Sequence, residues 1–305
     1  MKLFLFEFAT CGEKIEDSIA VEGLAMFKAA YDGFKKYYDI HGFVRSEYSF
    51  LFDVPSGNIT LLEDYLSESD AFLIVAPEDE NLLLELTKVG ERYAENLGSS
   101  SRAISVVSDK WKLYKKLKGS VQIPETSKKP LDGRFIIKPR ISCAGEGISF
   151  GSGNVPSGYI AQEYIEGKNL SVSVIVKDGE CRTVSVNEQL LDGFKYAGAI
   201  LPARVDEKIA KDVEEEALKA VECIEGLNGY VGVDIVYSDQ PYVVEINARL
   251  TTPVSAFERA YGVSLADMLI GKLPKFARRQ IIRKGTGFAK WYVKSGEWCL
   301  EISGL

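Results

Sequence analysis

Hydrophobic positions recur along the first hundred residues in two alternating rhythms. Leu3–Phe8 is an apolar run interrupted only by Glu7, the pattern of a buried strand. Ile19–Tyr38 changes to helical spacing, with Leu24, Phe27, Ala30, Tyr31 and Phe34 on one face. Ala71–Val75 is a second apolar strand, ended by Pro77, and Asn81–Leu97 is again helical, with Leu82, Leu83, Leu86 and Val89 inward and Gly98 as its stop. This alternation predicts a small open α/β sheet. Ligands of such sheets sit beyond the carboxyl ends of the strands, where Glu7 and the acidic run Glu78-Asp79-Glu80 fall.

After the linker Gly98-Ser-Ser-Ser101 the texture changes. A helix is expected over Asp109–Leu117 with Ser108 as its cap. Strands then follow closely: Phe135–Lys138, Ile148–Phe150, Tyr159–Tyr164, Leu170–Val176 and Thr183–Val186. A long helix, Glu207–Glu225, separates them from the pair Tyr230–Tyr237 and Tyr242–Asn247.

Composition narrows the function classes. The 305 residues are enough for two or three compact units. No apolar run reaches the ~20 residues of a membrane span, and the start lacks the order of a signal peptide, so a cytoplasmic enzyme is expected. A net charge of −7 argues against a nucleic-acid partner. The basic cluster Lys275, Arg278, Arg279, Arg283 and Lys284 reads as a solvated strand edge. Five cysteines without a CxxC pair fit reduced thiols, and a single histidine, His41, makes a zinc site or a His-based mechanism improbable. Catalysis is therefore expected from Lys, Arg, carboxylates, metal and backbone amides.

Three segments carry candidate chemistry. The run Val231–Tyr237, a polar turn and Tyr242–Asn247 form a hairpin in which paired residues sum to 479, whether the loop is Ser238–Pro241 or only Asp239–Gln240. Asp234 then lies opposite Glu245, and Asn247 shares a face with Glu245. Such an oxygen-only cluster suits Mg²⁺ (or Mn²⁺) better than a solvated outer face. Lys138 closes the apolar run Phe135–Lys138 and needs an anion or a route to water; Gly145 and Gly147 follow in a small-residue loop whose amides can approach a phosphate. The loop matches neither GxxxxGK[ST] nor GxGxxG. Gln162-Glu163-Tyr164-Ile165 ends a strand in a linker that could face a flat base, or be an ordinary edge.

Read in order, Lys110, Lys138, the glycine loop, Gln162–Ile165, Asp234 and Glu245-Ile-Asn247 resemble the ATP-grasp superfamily, as in D-alanine–D-alanine ligase and the biotin carboxylases. The resemblance covers roughly 108–253. It implies a pre-ATP-grasp α/β domain over 1–100 and two α+β subdomains, 101–160 and 161–305, that clasp ATP. It further implies that Lys110 and Lys138 contact phosphates, that the loop 142–148 closes over them, and that Glu163, Tyr164 and Ile165 line the adenine site. The sequence departs from the pattern where a ribose carboxylate or His is replaced by Asn169, and where Gly232 stands in place of an Arg; Arg249, on the face of Asn247, could supply that charge. The implied chemistry is phosphorylation of a carboxylate by ATP and displacement of phosphate by an amine, needing positioning and charge neutralisation more than a protein nucleophile. A small-molecule kinase and a non-catalytic nucleotide-binding module are the alternatives.

Leu5–Gly12, Ala20–Ala29, the stretch with Asn187, Gln189, Tyr196, Gly198 and Pro202, and Glu245–Pro253 resemble a narrower branch, the tyramine–glutamate ligases of methanofuran biosynthesis. Ala248 and Cys11 depart from it. The branch implies L-glutamate and tyramine as substrates. Glu7 and Glu22 are candidate partners for an ammonium group, Glu22 being equally explicable as a residue of a helix's first turn, and Arg249 is the candidate partner of the acid or its acyl phosphate.

Overall fold

A computed structural model describes residues 1–305. The first sheet is parallel, in the order β2-β1-β3-β4, built from β1 (Lys2–Glu7), β2 (Asp39–His41), β3 (Ala71–Val75) and β4 (Glu95–Asn96). Its two central strands are buried almost throughout, as the continuous apolar runs require. Helices α1 (Asp17–Phe34), α2 (Leu62–Ser67) and α3 (Leu82–Gly90) complete the unit. Chain order reverses between β1 and β3, so a crevice opens at their carboxyl ends. The helix expected to run to Leu97 stops at Gly90. A Cβ at Gly90 would stand 2.7 Å from the Phe72 ring, and Glu95–Asn96 leave the helical path to pair with β3.

Two short helices follow, α4 (Ser101–Val107) and α5 (Lys110–Leu117). The cap of α5 is Asp109, not Ser108: its carboxylate accepts from the amides of Trp111 and Lys112 and also holds Arg140. The second sheet, β5-β8-β6-β7, comprises β5 (Thr126–Ser127), β6 (Phe135–Pro139), β7 (Ser149–Phe150) and β8 (Tyr159–Glu163), all antiparallel.

The third sheet is antiparallel and has eight strands. They are β9 (Lys168–Lys177), β10 (Glu180–Asp192), β11 (Lys195–Leu201), β12 (Gly229–Tyr237), β13 (Pro241–Asn247), β14 (Gln280–Thr286), β15 (Val293–Ser295) and β16 (Trp298–Gly304), in the order β13-β12-β9-β10-β11-β14-β16-β15. Helix α6 (Glu207–Glu222) packs on this sheet through Val213, Ala217, Ala220 and Val221, its amino end capped by Asp206. Helices α7 (Phe257–Tyr261) and α8 (Leu265–Leu269) bring the chain back to α1. Strand β14 lies between β11 and β16, so Arg283 and Lys284 are not on a sheet edge, while Lys275, Arg278, Arg279 and Arg283 are solvated as expected. Lys284 departs from that: its side chain is largely covered, and an ion pair takes the place of the expected water.

Candidate active site

The three sheets meet around a cleft of about 320 Å³. One wall comes from the carboxyl ends of β1 and β3 and from a face of α1 that presents Ile19, Glu22, Gly23 and Met26 at helical spacing. The second sheet contributes Ile136, Lys138 and Gln162–Ile165 with the loop carrying Cys143, Ala144 and Gly145; the third contributes Asn169, Gln189, Tyr196, Asp234, Val244, Glu245, Asn247 and Arg249.

On the hairpin β12–β13, Asp234 pairs with Glu245 and Gly232 with Asn247, the register derived from the sequence. The register then slips by one, with Ile235 opposite Val243, so Val244 is a bulge residue. The slip lies between the turn and the acidic pair: the loop is Ser238–Gln240, with Tyr237 opposite Pro241, neither of the two loops expected, and the extra residue is what sets Asp234 opposite Glu245. It also turns Val244 into the cleft beside Glu245. The Arg absent at position 232 has no room there, since a Cβ on Gly232 would lie 2.7 Å from the Thr251 methyl.

Asp234 accepts from Gln189 at 2.9 Å and from Asn247 at 3.2 Å. Burial, then the neighbouring Glu245 carboxylate, raise its pKa to about 7. Glu245 goes the other way: burial alone would push it up, but Lys110 and Lys138 outweigh that and hold it below the usual carboxylate range. Lys110 Nζ stands 3.0 Å from Glu245 Oε1 and donates to the Ser142 carbonyl at 2.8 Å. Burial, then the nearby Lys110, lower Lys138 to about 8. Two ammonium groups thus face two crowded carboxylates. The donor set of Asp234, Glu245 and Asn247 is all oxygen and carries like charges that a divalent cation would relieve, so these residues fit such an ion.

Arg249 lines the cleft, but its guanidinium is held by Glu78 in a two-pronged pair, both contacts 2.8 Å. Glu78 is buried and Arg249 largely covered, and the pair joins the end of the first sheet to the end of β13. Glu7 lines the cleft with its carboxyl turned back on its own loop, accepting from the amides of Ala9 and Thr10 and from the Thr10 hydroxyl. Burial raises its pKa against those bonds. Gly23 makes this possible, because a Cβ there would lie 2.4 Å from Glu7 Oε1. Glu22 is paired with Lys284 at 2.5 Å and accepts from the Thr252 hydroxyl at 2.7 Å.

Gly145 and Gly147 have φ of +76° and +69°, the left-handed region. A Cβ on Gly145 would stand 2.0 Å from the Phe194 carbonyl oxygen, so the loop leans on the turn between β10 and β11. Gly147 packs on Pro139 outside the cleft, and Lys110 stands behind Glu245. The Gln162 amide donates to the Thr126 hydroxyl, while Tyr164 meets Phe150 edge to face, with Arg134 4.3 Å from the Tyr164 ring centre. Asn169 lies on β9 opposite Val236. Sequence reasoning gave no part to Lys284 and Thr252 and no partner to Glu78. The only signal for Glu78 was its place after a strand's carboxyl end.

Residues 107–253 match the ATP-grasp domain and residues 51–104 the pre ATP-grasp 3 domain. A tyramine–L-glutamate ligase from Methanocaldococcus fervens is 33% identical over 286 residues, 88% of this chain and 92% of that one. The chain belongs to the tyramine–L-glutamate ligase branch of the ATP-grasp family. It is an ATP-dependent carboxylate–amine ligase. A second ligase of that name, from Methanocaldococcus jannaschii, is 39% identical over 66% of this chain and 62% of its own. Among solved structures, a putative ATP-grasp superfamily protein from Archaeoglobus fulgidus is 63% identical, with a TM-score of 0.97 over 100% of this chain and 99% of that one. An L-amino acid ligase from Bacillus licheniformis, at 14% identity and a TM-score of 0.69 over 99% and 93% of the two chains, shares the fold. In the ligase, no helix is long and apolar enough to cross a membrane.

Proposed function

We propose that the ligase joins the γ-carboxylate of L-glutamate to the amine of tyramine, converting ATP to ADP and phosphate, as a cytoplasmic step in methanofuran biosynthesis. The observation that carries this reading is the opposed pair Asp234–Glu245 sharing one cleft with Lys138 and Arg249, with Lys110 behind Glu245. Five unpaired cysteines suit a reducing compartment.

Glu163, Tyr164 and Ile165 face the adenine, with Gln162 behind them and Asn169 toward the ribose. Lys138 and the amides around Gly145 hold the phosphates, and Gly147 shapes their loop. Lys110 fixes the Glu245 carboxylate. Asp234, Glu245 and Asn247 would hold Mg²⁺ or Mn²⁺, which when bound neutralises phosphate charge and polarises the transferred group. The γ-carboxylate takes the γ-phosphoryl group, giving an acyl phosphate and ADP. Arg249, kept rigid by Glu78, offsets charge on the acid and on that acyl phosphate. The neutral amine attacks the carbonyl carbon, the C–O bond to phosphate breaks, and the amine loses a proton.

The test is incubation with ATP, Mg²⁺, L-glutamate and tyramine, followed by mass spectrometry. γ-Glutamyltyramine should appear with one ADP and one phosphate per amide, and omission of either partner should stop ADP release. No ADP above background with this pair, while another acid and amine give it, would remove the substrate assignment. ADP formed without amine, with a stable phosphorylated acid, would favour a kinase.

A further inference from the structure

Glu22 and Lys284 lie 262 positions apart in the chain and outside both matched domain regions. They form an ion pair whose side chains are only 13% and 10% exposed. Glu22 lines the cleft; Lys284 stands beside it, 5.9 Å from the centre of the Tyr196 ring and 6.0 Å from that of Trp298. The Tyr196 ring also lines the cleft, and its hydroxyl is buried near that of Thr252 without a well-formed hydrogen bond to it or to any other group. An orphaned buried hydroxyl costs free energy unless a ligand completes it. Each Glu22 oxygen accepts one bond, from Lys284 or from Thr252, which leaves about two acceptor positions unused. Glu7, on the same wall, has three donors on it already.

We infer that Glu22 and Tyr196 form the subsite for the α-amino and α-carboxylate groups of the acid substrate. This rests on the reading above that the acid is a zwitterionic amino acid. Glu22 receives the α-ammonium group and the Tyr196 hydroxyl donates to the α-carboxylate. Lys284 and Thr252 position the Glu22 carboxylate, and Lys284 supplies positive charge beside the tyrosine. A balanced ion pair with one spare donor and spare acceptors matches a balanced zwitterion. The amine substrate is the poorer occupant. It must be neutral when it attacks, and a carboxylate holding it as ammonium would oppose the reaction. The α-ammonium never reacts and stays charged throughout.

Two truncated acids separate the contacts: glutarate lacks the amino group and 4-aminobutyrate lacks the α-carboxylate. The wild-type ligase should prefer L-glutamate to each by about a thousandfold in kcat/KM, since a site built to bond a polar group rejects the analogue without it. In Glu22→Gln the preference over glutarate should fall by about 100-fold. In Tyr196→Phe the preference over 4-aminobutyrate should fall by about 10-fold. KM for ATP should stay unchanged in both. Glu22→Gln leaves Lys284 without its partner, so the charge-balanced double variant Glu22→Gln/Lys284→Met is measured alongside it. ADP binding reports that each variant is folded, and the double variant should lose the same preference. The proposal is overturned if folded variants discriminate as the wild type does, or if Glu22→Gln raises KM for tyramine alone. If wild-type ligase makes no amide from glutamate and tyramine, it is the substrate assignment that fails instead.

Discussion

At the scale of single residues, the behaviour of the cleft is decided by which charges have partners. Glu245 is the pivot. It touches Lys110, lies opposite Asp234, and is the carboxylate that the surrounding cations keep ionised. Glu245→Gln keeps the shape and removes the charge. Turnover is expected to fall at least about 1,000-fold, the scale on which preorganised charge contributes to phosphoryl transfer. Nucleotide binding should remain measurable, because Lys138 and the linker Gln162–Ile165 are untouched. Steady-state ADP release together with calorimetric titration of ADP checks both halves, and wild-type turnover in this variant would remove the metal assignment. Gly232 shows the reverse case. A departure from the family pattern reads as a missing charge in the sequence, but in the structure it is a steric requirement set by Thr251.

At the scale of elements, the hairpin and its opposed carboxylates were legible, but not through the turn: Tyr237 pairs with Pro241, a register that alone would set Asp234 against Val244, and the bulge restores the pairing of Asp234 with Glu245. Its bulge was not legible, since Val243 and Val244 are both apolar and alternation cannot tell which is the extra residue. Helices α7 and α8 have five residues each, too few to display a helical period. What fixes α8 is chemistry at its ends. Ser264 and Asp267 form a capping box, and Asp267 also receives Tyr37 and Lys272, tying α8 to the end of α1. Burial alone would push the Asp267 carboxyl up, but bonds from Lys272, Tyr37 and Ser264 outweigh it and hold it far below the usual range. A depressed carboxylate contributes stability that is fully present above its unfolded pKa of about 3.9 and is lost as pH falls through the folded value. Asp267→Asn should therefore cost about 1–2 kcal/mol near neutral pH. The gap in Tm between the two proteins should be wide at pH 7 and narrower at pH 3. An equal gap at both would show that the ionised form contributes nothing.

At the scale of the whole molecule, the first sheet is tied to the third by charge as well as by apolar packing. The Glu78–Arg249 pair spans 171 positions of sequence. Breaking a buried pair on one side leaves a charge without compensation, which costs about 3–5 kcal/mol. Glu78→Gln should lower the unfolding free energy by an amount in that range, and Glu78→Gln/Arg249→Met should recover much of it. Urea titration of the three proteins tests this; a single variant as stable as wild type would mean that the pair does not join the two units. Element order and the hairpin pair could be read from local patterns. The contacts of Lys284 and Glu78 could not, because the burial of each charge is created by a residue more than a hundred positions away.

The position of β14 sets a schedule for synthesis. Glu22 leaves the ribosome early, yet the lysine that pairs with it follows 262 residues later. At about 5–20 residues per second that interval is roughly 13–50 s. During it the nascent chain can form the parallel sheet, and then the hairpin with its opposed carboxylates, while β11 still lacks its neighbour and the Glu22 carboxylate its cation. A nascent ligase would thus hold most of its nucleotide-facing residues before the wall beside Glu22 is complete. Release before β14 would leave Glu22 without its cation and β11 without its neighbour.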